Sequence, residues 1–197
     1  SAAVVAVESF IADHPAPTRE QLAAAGLAAP SWPRPWGIGA NPAELLQIDT
    51  AFERARIDVP HGEIGLGWAG PTILAGGTEE QQRRWLPGIL DGSHVWCQLF
   101  SEPDAGSDLA SLRTSAVRDG DHYIVSGQKI WSTWADHSDF GILLARTSSD
   151  GAPQTGITYF VIDMALPGIE VRPIVEMTGG NHFNEVFLDE VRIPVAN

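Results

Sequence analysis

The feature that most constrains this fold is a change of hydrophobic period near residue 93. Before it, apolar residues recur at helical spacing between capping signals. After it, short runs of β-branched and aromatic residues alternate with Gly- and Asp-rich turns. No helix of useful length interrupts the second half, so its strands are expected to pair antiparallel. The predicted class is α+β: an N-terminal helical domain over 1–93, then an antiparallel β-barrel or two-sheet domain over 94–197. A chain of 197 residues is long enough to give each part a core.

The helical half is read from its caps. Residues 1–13 are apolar and Ala-rich and close at Asp13-His14-Pro15. Thr18 with Glu20-Gln21 opens a second helix that Gly26 ends. Pro30-Ser31-Trp32-Pro33-Arg34-Pro35-Trp36-Gly37 is a stiff linker whose tryptophans pack it onto a core. Asn41-Pro42-Ala43-Glu44 starts a helix that puts Leu45, Ile48, Phe52 and Ala55 on one face. Thr78-Glu79-Glu80-Gln81 is a capping box for a helix through Trp85, which Pro87-Gly88 is expected to close.

Between these helices Gly65-Leu66-Gly67-Trp68-Ala69-Gly70 matches G-x-G-x-x-G. That fingerprint acts only at a tight strand-to-helix turn. The preceding Val59-Pro60-His61-Gly62-Glu63 is no buried strand, so the match reads as a glycine-rich helix approach.

In the second half, strands are predicted at 95–100, 112–118, 122–126, 128–132, 140–146, 157–163, 169–175 and 184–188. Asp119-Gly120-Asp121, Ser126-Gly127, Ser148-Ser149-Asp150-Gly151, Pro167-Gly168 and Asp189-Glu190 supply the turns.

Charge narrows the partners. Twelve basic against 25 acidic residues give a net charge of −13. Such a chain is a poor generic ligand for DNA, RNA or an anionic membrane, though a local pocket for one small anion is allowed. The single Cys97 excludes an intrachain disulfide framework and a Cys-rich zinc site, and fits a cytoplasmic setting. No apolar run reaches membrane-spanning length. The start, Ser1 to Glu8, lacks the basic flank of a secretory signal, and without an initiator Met the chain is expected to be processed or part of something longer. His14, His61, His94, His122 and His182 are scattered, and Asp136-His137-Ser138-Asp139 reads as a solvated turn rather than a metal site.

Two stretches are loaded with chemistry. Gln98-Leu99-Phe100-Ser101-Glu102-Pro103-Asp104-Ala105-Gly106-Ser107-Asp108 follows a strand and gathers hydroxyls, carboxylates and glycine. It reads either as a cradle for a polar ring or anion, or as a turn that satisfies its own backbone. Its carboxylates read as caps before acids and bases. The run around Ser107 lacks the nucleophile elbow of a serine hydrolase. Gln128-Lys129-Ile130-Trp131-Ser132-Thr133 offers a flat indole followed by two hydroxyls, the combination that stacks a planar cofactor and bonds its edge. Trp131 alone, at a strand end, reads first as ordinary core.

Together these pieces resemble the acyl-CoA dehydrogenase family. The resemblance runs through Gly77–Gln81, Leu86-Pro87-Gly88, Gln98–Asp108, Gly127–Thr133, Leu143–Arg146 and Val186–Pro194, in order and at family spacing. It covers the chain from about Gly65 to the end, whereas residues 1–60 match only loosely.

The resemblance implies a three-domain flavoenzyme, of which this chain carries the N-terminal helical and middle β domains. It implies FAD as cofactor, with Gln98, Leu99, Phe100, Ser101, Gly106, Ser107, Trp131, Ser132 and Thr133 as its contacts. Ser101 would bond the pyrimidine side, Trp131 would lie beside the ring system, Thr133 would bond near N5, and Ser107 would also touch the acyl-CoA substrate. Electrons would pass to an electron-transfer flavoprotein, and the assembly would be a homo- or hetero-tetramer. The family often has a hydrophobic or aromatic residue in place of Gln98 and threonine in place of Ser101; both residues here can still hydrogen-bond. The family's catalytic glutamate lies in the C-terminal helical domain, which the sequence to Asn197 does not include, so no catalytic base and no metal ligand is named. Two other readings share the fold: a non-catalytic flavin-binding or structural subunit of a heteromeric dehydrogenase, and a flavin oxidase or monooxygenase.

Overall fold

The computed structural model describes residues 1–59 and 63–197, which divide into two compact units, Ser1–His94 and Val95–Asn197.

The first unit is helical. Helix α1 spans Ala2–Asp13, α2 Arg19–Ala24 and α3 Pro42–Ala55. A π-helical turn, Gly65–Ala69, runs into α4, Gly70–Gly76, and α5 follows over Glu79–Asp91. Thr18, Asn41 and Thr78 each close a full capping box, with the third helical side chain reaching back to the cap. Leu22, Ile48, Phe52, Leu86 and Ile89 are buried at its centre.

The sequence places the end of α5 too early. The helix passes through Pro87 and stops at Gly92, whose φ of 78° is the left-handed cap that glycine adopts freely. The last carbonyls have an external donor: Arg19 reaches Leu90 O at 3.2 Å through Nε and Ile89 O at 2.9 Å through Nη2. Burial of Trp85, Leu86, Ile89 and Leu90 around Pro87 offsets the N–H that the proline lacks.

The glycine-rich segment is helical, and among the described residues no strand leads into it. Residues 60–62 of the segment before it, with His61, lie outside the described residues. Gly70 is a close-packing position, because a Cβ there would collide with the Trp32 indole.

The second unit is one seven-stranded mixed sheet. The strands are β1 Trp96–Leu99, β2 Ser115–Asp119, β3 His122–Thr133, β4 Phe140–Arg146, β5 Ile157–Asp163, β6 Ile169–Pro173 and β7 Phe183–Pro194. Their order is β1-β4-β2-β3-β7-β6, with β5 also on β4. The expected antiparallel pairing holds for β2/β3, β3/β7, β4/β5 and β6/β7. β1 instead runs parallel to β4, and β2 touches β4 in parallel at Ser115–Arg146. The long excursion through β2 and β3 returns the chain to β1 in the same direction, which a tight hairpin cannot do.

Two expected turns are kinks inside long strands. Ser126-Gly127 is a register shift within β3, and Asp189-Glu190 lies within β7, with Glu190 at φ 50°. The core gathers Leu99, Val125, Leu143, Phe160, Ile162, Val186 and Ile193.

Candidate functional site

The loop after β1 and the outer end of β3 are one structure. Ile130 N donates to Ser101 O at 2.9 Å. Lys129, fully buried on the same strand, sends Nζ to Phe100 O at 3.1 Å and to Glu102 Oε1 at 2.8 Å. The two loaded stretches of sequence therefore meet, 29 residues apart in the chain at Lys129 and Phe100.

Glu102 is the node of the loop. Its carboxylate accepts from Arg113 N at 2.6 Å and Thr114 N at 2.9 Å, besides Lys129. Its backbone exchanges two hydrogen bonds with Ala105, which turns Pro103-Asp104 outward. Both carboxylate oxygens face donors, so Glu102 is ionised here. Burial works against that charge, but Lys129 and the backbone donors outweigh it and hold the pKa below the usual carboxylate range. Burial also draws the Lys129 pKa down, an effect that Glu102 partly reverses. Loop carboxylates were expected to act as caps, and Glu102 does so for residues 113 and 114.

Gly127 explains its own place in Gly127-Gln128-Lys129. A Cβ there would collide with the Thr114 side chain, displacing a residue that donates to Glu102. Gln128 points elsewhere, donating to Glu185 at 3.0 Å on β7.

Beyond Lys129 the register of β3 against β7 shifts before Ser132. Trp131 takes the left-handed conformation at φ 62°, which is costly for a large side chain. Trp131 is 58% exposed and its ring is braced edge-on by Phe183, with centroids 6.0 Å apart. Trp134 is likewise left-handed and exposed, and its N–H donates to His182 O at 2.9 Å. Asn184, wholly buried, secures the turn by donating Nδ2 to Ser132 O at 3.1 Å and to Asp136 Oδ1 at 3.2 Å.

The expected contacts thus sort by geometry. Trp131 and Thr133 lie on the accessible side, and Gly106 and Ser107 form an exposed crest where a Cβ on Gly106 would meet nothing within 4 Å. Gln98, Phe100 and Ser101 are half-buried at the loop's base. Two of the expected contacts have inward-facing side chains. Ser132 is 1% exposed with its hydroxyl turned inward, and Leu99 is wholly buried, so these two can offer only backbone atoms. The register shift causes the first: it turns Trp131 outward and Ser132 inward.

Lys129, Phe183 and Asn184 escaped the sequence reading. A lysine at an inward position of a strand was the available signal for the first, since a buried lysine needs a partner. Among the described residues no cluster of His, Cys, Asp and Glu could hold a metal. Burial pushes the Cys97 thiol up to about 12, so it is no nucleophile at neutral pH. No described helix is long and apolar enough to cross a membrane.

The acyl-CoA dehydrogenase N-terminal domain matches residues 5–93, and the acyl-CoA dehydrogenase middle domain matches 97–191. The chain belongs to the acyl-CoA dehydrogenase family, a family of flavoprotein oxidoreductases. It is 53% identical over 173 residues to the acyl-CoA dehydrogenase FadE34 of Mycobacterium tuberculosis, covering 88% of this chain and 24% of that protein. The solved Tcur3481-Tcur3483 steroid ACAD superposes with a TM-score of 0.76 at 33% identity, over 90% of this chain and 46% of that one. The ChsE4-ChsE5 complex from Mycobacterium tuberculosis gives 0.76 at 32% identity, over 99% and 54%. The chain spans about a quarter of FadE34 and about half of the two solved chains.

Proposed function

We propose that this chain supplies the flavin-facing part of an FAD-dependent acyl-CoA dehydrogenase that desaturates an acyl-CoA thioester between its α and β carbons. The observation that carries this reading is the junction of the two loops. Lys129 and Ile130 bind the backbone of Phe100 and Ser101, and the same strand then presents the exposed indole of Trp131. A flat aromatic face beside a polar loop is what a tricyclic ring with hydrogen-bonding edges needs.

Held by Trp131, Thr133 and Ser101, FAD would supply the acceptor for the hydride that desaturation releases. The chain's own residues bind and orient. Trp131 would give the ring a face that excludes water, Thr133 would offer a hydroxyl near N5, and Ser101 would bond the pyrimidine side. Ser107, on the exposed crest, reaches the acyl-CoA. Glu102 and Lys129 are committed to each other and to backbone, so neither serves as the base that takes the α-proton.

The names of the solved relatives point to a steroid-derived acyl-CoA and to a heteromeric assembly. We take both as the working substrate class and partner, with an electron-transfer flavoprotein as acceptor and a cytoplasmic setting. The test is the visible spectrum of the full-length protein with its partner subunit, before and after anaerobic addition of acyl-CoAs. A flavin band that bleaches with a steroid-derived acyl-CoA supports the proposal. A band that no acyl-CoA bleaches favours a binding-only subunit. Rapid reoxidation by oxygen favours an oxidase, and no flavin at all overturns the cofactor.

A further inference from the structure

We infer that the buried Glu102–Lys129 ion pair is a positioning device that aims the Ser101 backbone N–H at the bound cofactor. The inference rests on the flavin-site reading above and adds residues to it.

The geometry begins with Lys129. Its ammonium is fully buried and has two partners, the Glu102 carboxylate at 2.8 Å and the Phe100 carbonyl at 3.1 Å. The Phe100–Ser101 peptide is trans, since the one cis bond among the described residues is Arg34-Pro35. In a trans peptide the C=O and the following N–H point in opposite directions. With the Phe100 oxygen drawn inward to Lys129, the Ser101 N–H points outward. The next carbonyl, Ser101 O, is fixed by Ile130 N at 2.9 Å, so the peptide is clamped on both sides. Ser101 N–H itself has no acceptor among the described residues. A half-buried backbone donor that is clamped yet unpaired is a prepared hydrogen-bond site.

The ion pair suits this task better than an apolar contact would. A methionine in place of Lys129 would fill the space but could not hold the Phe100 oxygen. Glu102 in turn is fixed by Arg113 N and Thr114 N, which join the far end of the loop to the same point. The loop's orientation is therefore set by hydrogen bonds whose direction is defined, and the outward donor is pre-organised before the cofactor arrives.

The experiment uses the full-length holoenzyme reconstituted with FAD carrying 13C at its pyrimidine carbonyls. Flavin binding by the unaltered protein is measured first; if it takes no flavin, the site reading fails and this inference with it. Lys129→Met is expected to raise the FAD dissociation constant about tenfold, the loss of one hydrogen bond of ordinary strength. It should also move a labelled carbonyl stretch to higher wavenumber. Ser101→Ala, which removes the hydroxyl and keeps the clamped N–H, should move that stretch less than Lys129→Met does. A folded Lys129→Met protein with unchanged affinity and an unchanged stretch overturns the inference. If Lys129→Met does not fold, amide exchange of Ser101 in the unaltered protein decides: slowing on FAD binding is expected, and equal rates with and without FAD overturn it.

Discussion

Asn184 on β7 faces Ser132 on β3 in register and donates its side-chain amide to the Ser132 carbonyl at 3.1 Å. The same amide reaches Asp136, so one buried side chain ties the end of β3 to the turn that follows it. Asn184→Leu keeps the volume and removes both bonds. Leaving buried acceptors unpaired costs about 1–3 kcal/mol each at most, less where water reaches Asp136. Urea unfolding should show a lower midpoint with an unchanged slope. An unchanged midpoint would mean that the turn is held by packing alone.

Trp131 should matter through its face. Trp131→Ala is expected to weaken flavin retention, seen as a lower flavin-to-protein ratio after gel filtration and an altered visible spectrum. Phe183→Leu removes the edge-on brace at 6.0 Å and should have a smaller effect of the same sign. The brace is worth about 0.5–1.5 kcal/mol. Full flavin content with an unaltered spectrum in Trp131→Ala would displace Trp131 from the site.

Gly67 and Gly70 belong to the same glycine-rich segment and should respond in opposite ways. A Cβ on Gly67 meets nothing within 4 Å, and the residue is helical. Gly67→Ala should therefore leave flavin binding intact and raise stability by up to about 1 kcal/mol. Gly70→Ala drives a methyl group into the Trp32 indole and should lower the thermal midpoint. Flavin loss in Gly67→Ala without unfolding would mean that the G-x-G-x-x-G segment does contact the cofactor.

Much of this architecture is legible in the chain because its signals are local. Thr18, Asn41 and Thr78 cap where the residue pattern places them, since a capping box needs only four consecutive residues. The alternating runs of β4 and β5 coincide with their predicted bounds, 140–146 and 157–163. What escaped depends on distant partners. The continuation of α5 through Pro87 leaves carbonyls that Arg19, far away in the chain, satisfies, and the parallel β1/β4 pair has no local signature. In the candidate site, residue types marked both loops but not their inward and outward faces. The register shift before Ser132 reverses the simple alternation, exposing Trp131 and burying Ser132. The Glu102–Lys129 pair was hidden for the same reason: a carboxylate in a loop and a lysine in a strand look solvated until the fold brings them to 2.8 Å.

The acid limb of stability should carry the signature of Glu102. Burial opposes its charge, yet Lys129 and the backbone donors of Arg113 and Thr114 prevail, so its folded pKa lies below the unfolded one. Between those two values the unfolded chain binds the extra proton, so stability falls as pH falls. The contribution is complete above the unfolded pKa and is lost as pH drops through the lower folded one. Glu102→Gln removes this dependence but strands Lys129, whose charge is then buried without a counterion. Breaking a buried pair from one side costs roughly 3–5 kcal/mol. The variant should therefore be less stable at neutral pH and show a shallower decline below the usual carboxylate range. The check is unfolding by urea from neutral to acidic pH for both proteins. Parallel curves across that range would mean that Glu102 does not change its protonation between the folded and unfolded states.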